Sequence, residues 1–420
     1  MNKILQIFKD SDLRKRILFM LGILAVFRLT AAIPIPGVDI LQLQALLSGN
    51  QLLGLSNIFS GGALDNLSIA MLGLGPYITG SIIMQLMTIV FPQLKEMYQE
   101  AGEAGRQKFN QYSRMLTVPL AILQGYGLLT LLSRQGVLGE ITTFGMITNI
   151  VIITAGALFL MWLGELISEY GIGNGVSIMI FAGIVAGVPT SIQQTLVSFD
   201  ATQIPIFALF VALGVAVIAA VVFITEGERP VPVSYAKRMR GRGMYGGGST
   251  YLPLRVNQAG VIPIIFALSI LLFPQMFAGF LSASSNAFLQ GVADIFLRFS
   301  QNLLLYGLVY FVLVFFFTYF YTAVTFDPDT ISTNLQKSGG FIPGIRPGRP
   351  TADFLSHVIT RITLVGAGFL GLIAVLPFAV QAATGIVTIS LGGTALLIVV
   401  SVVLEFMKQM EGKLVMREYE

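Results

Sequence analysis

Ten runs of apolar residues, separated by polar or Gly- and Pro-rich connections, recur along the 420-residue chain. They fall at 17–33, 69–91, 116–132, 147–163, 176–192, 204–224, 259–277, 303–321, 362–382 and 395–407. A membrane-spanning helix needs about 20 mostly apolar residues, so the pattern predicts an all-α polytopic membrane protein with ten transmembrane helices. Several runs are near the lower length limit, which suits helices with little tilt or partly enclosed by neighbours. Ahead of the first run, NKILQIFKDSDLRKR mixes basic residues with Ile4, Leu5, Ile7 and Phe8, the pattern of an amphipathic helix on a membrane surface. Arg28 interrupts the first run, Pro34 and Pro36 follow it, and nine more runs come after. The start therefore reads as a retained helix, not a cleaved signal.

One stretch departs from this regularity. Residues 54–68 are Gly-rich and half polar, with Leu55, Ile58, Phe59, Leu64 and Leu67 at helical spacing, and they lead straight into the run at 69–91. They are too short and polar to span a bilayer. Irregular backbone at membrane depth is tolerated only inside protein or beside a water-filled cavity. A plug, a re-entrant segment or a pore lid fits the stretch, and so does an ordinary extracytoplasmic loop.

Composition agrees with the membrane reading: 55% of residues are hydrophobic and 11% charged, against about 25% charged in soluble chains. Charge placement then orients the chain. The segment before the first run and the connections at 93–115, 226–256, 322–361 and the tail hold 22 of the 25 Lys and Arg. The intervening connections are nearly free of them, which predicts cytoplasmic termini. Two of these basic connections, 226–256 and 322–361, are longer than topology needs. They are rich in Gly and Pro and suit exposed hairpins or loop tips. Such tips could meet an acidic protein or an RNA backbone, or could be basic for topology alone.

Several chemistries find no residues here. There is no cysteine, no HExxH, no phosphate loop, and the one histidine, His357, lies at the edge of the ninth run. The Asp residues fall in connections or near run ends, and Glu165 and Glu405 lie near run ends. Neither an intramembrane protease nor a carboxylate-relay transporter is encoded, so any energy comes from outside the chain. Arg28 is the one charge well inside a run. It reads equally as a functional cation or as a side chain snorkelling to the interface.

Seven segments carry a family resemblance: FSGGALDNLSIAMLGLGPYITGSIIMQLMT, GIGNGVSIMIFAGIVAG, VNQAGVIPIIFALSILLFP, YAKRMRGR, GIRPG, TRITLVGA and GGTALLIVV. Together they resemble the SecY family of protein-translocation channels, a match that runs in order from the first helix to the tail. The resemblance implies two pseudo-symmetric inverted five-helix halves, 1–200 and 201–420, an architecture that recurs in membrane proteins. It implies a protein-conducting channel, not an enzyme, without cofactors, in the bacterial inner membrane. A plug would occupy about 54–67, including Ser56, Asn57, Ile58, Phe59, Ser60, Gly61, Gly62, Ala63, Leu64, Asp65 and Asn66.

By the same resemblance, a hydrophobic pore ring is formed by Leu74, Ile78, Val176, Ile180, Ile265 and Ile398. Leu74 and Val176 stand where other members often have Ile, and both keep the ring aliphatic. A lateral gate for signal sequences would lie between the second and seventh runs, with Gln85 and Asn257 as its polar positions. Lys237, Arg238, Arg242 and Arg346 would dock the ribosome or the SecA motor ATPase; Pro230 departs from a basic residue common at that position. The implied partners are the small membrane subunits SecE and SecG, nascent polypeptides and membrane lipid, and a homodimer is compatible. A solute transporter built from inverted repeats would instead need buried polar ligands at mid-membrane. A scaffold or insertase without an aqueous pore is the other rival.

Overall fold

The structure is a computed structural model describing residues 10–36, 43, 57, 60–99, 101–138, 142–197, 204–235, 238–240, 243–245, 249–282, 286–384 and 387–418. Of the expected surface helix at 2–16, residues 2–9 lie outside them, and Ser11–Arg16 form the start of the first membrane helix. Helix α1 (Ser11–Ala32) is opened by Asp10, whose carboxylate accepts from the Asp12 amide at 2.8 Å. Then come α2 (Gly75–Val90), α3 (Pro92–Gln99), α4 (Gly102–Arg134), α5 (Thr143–Tyr170) and α6 (Gly175–Val197). After α7 (Ile204–Glu226) the chain forms β1 (Glu228–Tyr235), β2 (Arg238–Arg240), β3 (Gly243–Tyr245) and β4 (Ser249–Arg255). Helices α8 (Ile262–Ser282), α9 (Ala287–Gln301), α10 (Leu303–Thr325) and α11 (Pro328–Lys337) precede β5 (Gly340–Phe341), and α12 (Arg349–Thr384) and α13 (Val387–Glu418) end the chain.

Each of the ten apolar runs lies on, or leads into, its own helix. Among the described residues, four helices are each long and apolar enough to cross a bilayer alone, within Gly102–Arg134, Thr143–Tyr170, Leu303–Lys337 and Arg349–Ala382. At 1.5 Å per residue, the 33, 36 and 32 residues of α4, α12 and α13 exceed a hydrocarbon core of about 30 Å, so their basic ends project beyond it.

The second run differs from expectation at its start. Residues 69–74 form turns, and helix begins only at Gly75, with Pro76 in its first turn. Gly73 is in the left-handed region (φ 56°), and a Cβ at Gly156 of α5 would overlap the Ile69 carbonyl. The irregular backbone is thus held against a notch in α5, as non-helical chain inside a bundle must be.

The principal contacts between helices before and after residue 200 are α8 with α2 and α4, and α13 with α6. The long connections form a small structured unit. Strand β1 is central, antiparallel to β4 on one side and β5 on the other, so 228–235, 249–255 and 340–341 share one three-stranded sheet, and β2 and β3 pair in a separate two-stranded one. Val231, Leu254, Ile342, Leu355, Val358 and Ile359 give this unit its own apolar core. Helix α9, in the connection after the seventh run, is amphipathic and was not anticipated from the sequence; it exposes Phe288 and Ile295 while burying Ala293.

Candidate pore and plug

The expected ring positions come from four helices. Leu74 precedes α2 and Ile78 lies in its first turn; Val176 and Ile180 are on α6, Ile265 on α8 and Ile398 on α13. Leu74, Ile78, Ile180, Ile265 and Ile398 are each at most 4% exposed and belong to one contiguous apolar cluster, against which the half-buried Val176 packs. Local sequence sets these positions. A Cβ at Gly175 would overlap the Gly164 carbonyl, so α6 starts against α5, with the Ser168 hydroxyl accepting from the Gly175 amide at 2.9 Å. The Asn174 side chain then accepts from Ser177 at 3.2 Å, the capping geometry that points Val176 and Ile180 down one helix face.

The candidate plug is a folded knot. Asn57 accepts at its side-chain oxygen from the Leu64 and Asp65 amides, both at 3.2 Å, and donates to the Asp65 carboxylate at 2.7 Å. Ser60 donates to the Asn57 carbonyl at 3.0 Å and accepts from the Leu64 amide at 3.2 Å. Ala63 belongs to the apolar cluster that holds the expected ring positions, whereas Leu64 and Leu67 belong to a second cluster with Leu128, Leu129 and Ile153. The knot is tied to the end of α1 by a bridge between Pro34 and Ser68, with Ile35 donating to Leu67 and Ile69 donating to Ile33, each at 2.9 Å. Ser56, Ile58 and Phe59 lie outside the described residues.

Arg28 resolves in favour of contact over snorkelling. Its Nη1 donates to the Gly61 carbonyl. Gly61 is otherwise enclosed: a side chain there would overlap the Phe27 ring, and a Cβ at Gly183 of α6 would overlap its Cα. Gly183 had no signal beyond being one small residue in an apolar run. Gln124 of α4 also escaped notice; it is 4% exposed, with its Oε1 3.8 Å from where a Gly75 Cβ would sit. A lone Gln inside the run at 116–132 was the available signal.

Helices α2 and α8, which carry the expected gate, pack together. The buried Gln85 Oε1 and Asn257 Oδ1 have no hydrogen-bond partner among the described residues. Asn257 also donates to the Gly260 carbonyl at 3.2 Å, shaping the turn into α8, where Gly260 has φ 62°. Arg346 is exposed on the turn after β5, its carbonyl accepting from Thr351 at 2.9 Å. Arg238 lies on β2, and Lys237 and Arg242 fall outside the described residues. Among the described residues no cluster of metal-ligating side chains occurs.

Residues 68–407 match the SecY family model. The protein translocase subunits SecY of Mycobacterium tuberculosis and Streptomyces galbus are 44% and 46% identical to this chain, each match covering 98% of it and 97% of the relative. Among solved structures, a protein-conducting channel matches with TM-score 0.63 at 18% identity, over 94% of this chain and 91% of that one. A SecY structure concerned with the plug domain, the closed state and the membrane seal matches with TM-score 0.65 at 17% identity over the same shares. Sec61 in the canine ribosome–channel complex matches with TM-score 0.58 at 17% identity, again over 94% and 91%. At such identities the structural matches speak for the fold.

Proposed function

This chain belongs to the SecY family, and we propose that it is the polypeptide-conducting channel of a membrane translocase, passive and non-enzymatic. The observation that carries the reading is the shared apolar cluster of Leu74, Ile78, Ile180, Ile265 and Ile398, with plug residue Ala63 in the same cluster. An aliphatic constriction excludes ions by dewetting yet opens around a sliding chain, because it offers no polar group for either to bind. The plug segment would add a second closure on one side of the ring.

In this reading 1–200 and 201–420 are the two halves, and α2 and α8 part to release signal sequences and membrane helices into lipid. The buried acceptors of Gln85 on α2 and Asn257 just before α8, without a partner among the described residues, are the polar positions this reading gives to the gate. The sheet that unites the two long basic connections would receive a ribosome or a motor ATPase on the cytoplasmic side of the inner membrane, through Arg346, Arg238, Lys237 and Arg242. Small membrane subunits like SecE and SecG would complete the complex.

The test is protease protection of a signal-bearing precursor in proteoliposomes holding this chain, its small subunits, the motor ATPase and ATP. Protection that needs both ATP and the signal is expected. Motor binding without protection favours a scaffold, and failure of both with folded protein overturns the reading.

A further inference from the structure

We infer that Arg28 is the release latch of the plug: its guanidinium holds the Gly61 carbonyl and balances Asp65, so the plug leaves only when α1 gives up both. The inference rests on the channel reading and deepens it by naming the residue that sets the opening threshold.

Three observations carry it. Arg28 lies one turn from the end of α1, in an apolar run, and is half-buried instead of reaching for solvent. Its Nη1 donates to the Gly61 carbonyl, which is presented by consecutive left-handed residues, Gly61 at φ 71° and Gly62 at φ 78°. A Cβ at Gly62 would lie 3.8 Å from both Arg28 Nη1 and Asp65 Oδ2, so cation and carboxylate flank the same small turn. Asp65 is meanwhile held in place by Asn57 at 2.7 Å.

The physics makes this a latch and not a passive contact. A charged donor on a carbonyl in a low-dielectric interior is among the stronger hydrogen bonds, and leaving a charge without its partner is costly. With the plug displaced, Arg28 keeps its charge at membrane depth but loses both partners. Closure is therefore favoured by the same side chain that an opening signal must outcompete. Because the acceptor at Gly61 is backbone, a substitution at that position acts on the latch only by shifting the left-handed turn that presents the carbonyl.

The experiment measures resting conductance in planar bilayers for the complex with wild-type chain, Arg28→Met, Arg28→Lys, Asp65→Asn, the double variant, and a deletion of residues 60–66 as the leaking control. Arg28→Met should raise resting open probability by about tenfold or more, the effect of losing one such bond. Arg28→Lys should fall between it and wild type. The double variant should leak no more than Arg28→Met alone, because both act through one latch. Precursors with crippled signals should cross more readily, while those with intact signals cross as before. Wild-type tightness in Arg28→Met beside a leaking deletion overturns the latch, and additive effects of the two substitutions overturn the pairing with Asp65. Should Arg28→Met not fold, wild-type tightness of Arg28→Lys and Asp65→Asn overturns the latch as well. A wild-type chain that protects no precursor overturns the channel reading instead, a separate result.

Discussion

Gly61 of the candidate plug and Gly183 of α6 lie backbone against backbone, with no space for a side chain between them. A methyl added at Gly183 meets the Gly61 Cα, which cannot swing aside as a flexible side chain can. The Phe27 ring crowds the same glycine, where a Gly61 Cβ would overlap it. Gly183→Ala should therefore lift the plug from its seat, raising ion leak several-fold at unchanged yield. Gly187→Ala, one turn on and facing open space, is the control and should conduct like wild type. Equal tightness of both variants in a bilayer recording would count against the seat.

Ile78 packs in the common apolar cluster with 4% exposure. Ile78→Asn places an amide where the ring needs an aliphatic surface, giving water and ions a polar partner. The expected outcome is a raised resting conductance and acceptance of weaker signal sequences. Val176→Ile, which keeps the surface aliphatic, should change neither. An unaltered bilayer conductance for Ile78→Asn would remove Ile78 from the pore.

The Asn57 side chain makes three hydrogen bonds within the knot, with the Leu64 amide, the Asp65 amide and the Asp65 carboxylate. Asn57→Ala leaves the Asp65 amide without its acceptor and the Leu64 amide with the Ser60 hydroxyl alone, a loss of about 1 kcal/mol for the bond broken. Hydrogen exchange at Asp65 should accelerate about fivefold, on the same basis, and at Leu64 less, since Ser60 still accepts from it. Exchange in α2 should stay as it was. If Leu64 and Asp65 remain equally protected, the knot is held by something other than Asn57.

Ser234 of β1 pairs with Phe341 of β5, which joins the two basic connections into one surface. Arg346 stands exposed at its edge with its side chain outside any core. Arg346→Glu should abolish motor-driven precursor protection while resting conductance stays at the wild-type level. Normal ATP-driven transport by this variant would sink the docking role of that edge.

Much of this architecture is written in local pattern. The apolar runs place the helices because burial in lipid depends on length and polarity, both local properties. Ring residues were placed by motif, since i, i+4 pairs such as Leu74/Ile78 occur throughout any apolar helix. What escaped reading depends on contacts between distant segments. The turns at 69–74 follow from the notch at Gly156, more than 80 residues away. The β1–β5 pairing joins segments about 100 residues apart, and neither strand alternates clearly enough to announce its partner. Arg28 stayed ambiguous because whether a cation snorkels or bonds depends on where the acceptor, here the Gly61 carbonyl, arrives in space.

Asp327 opens α11 and ties it to pH. Its carboxylate accepts from the Asp329 amide at 3.0 Å, the Thr330 amide at 3.4 Å and the Thr330 hydroxyl at 2.7 Å. Partial burial acts to raise the carboxyl's pKa, but these hydrogen bonds and the nearby Lys95 outweigh it and hold it below the ordinary Asp value. A folded pKa below the unfolded one, about 3.9, means the stabilisation is fully present above that value and lost as pH falls through the folded one. Asp327→Ala should therefore destabilise α11 by about 1 kcal/mol at neutral pH, the usual cost of losing such a cap. The gap from wild type should close below about pH 4 as the wild-type carboxyl is protonated. Asp327→Asn should retain part of the cap without pH dependence. Hydrogen exchange across 328–337, followed from pH 7 downward with correction for intrinsic rates, reads this directly. A wild-type-to-Ala gap that persists unchanged into acid would assign the stabilisation to packing of α11 on α12 and not to the Asp327 charge.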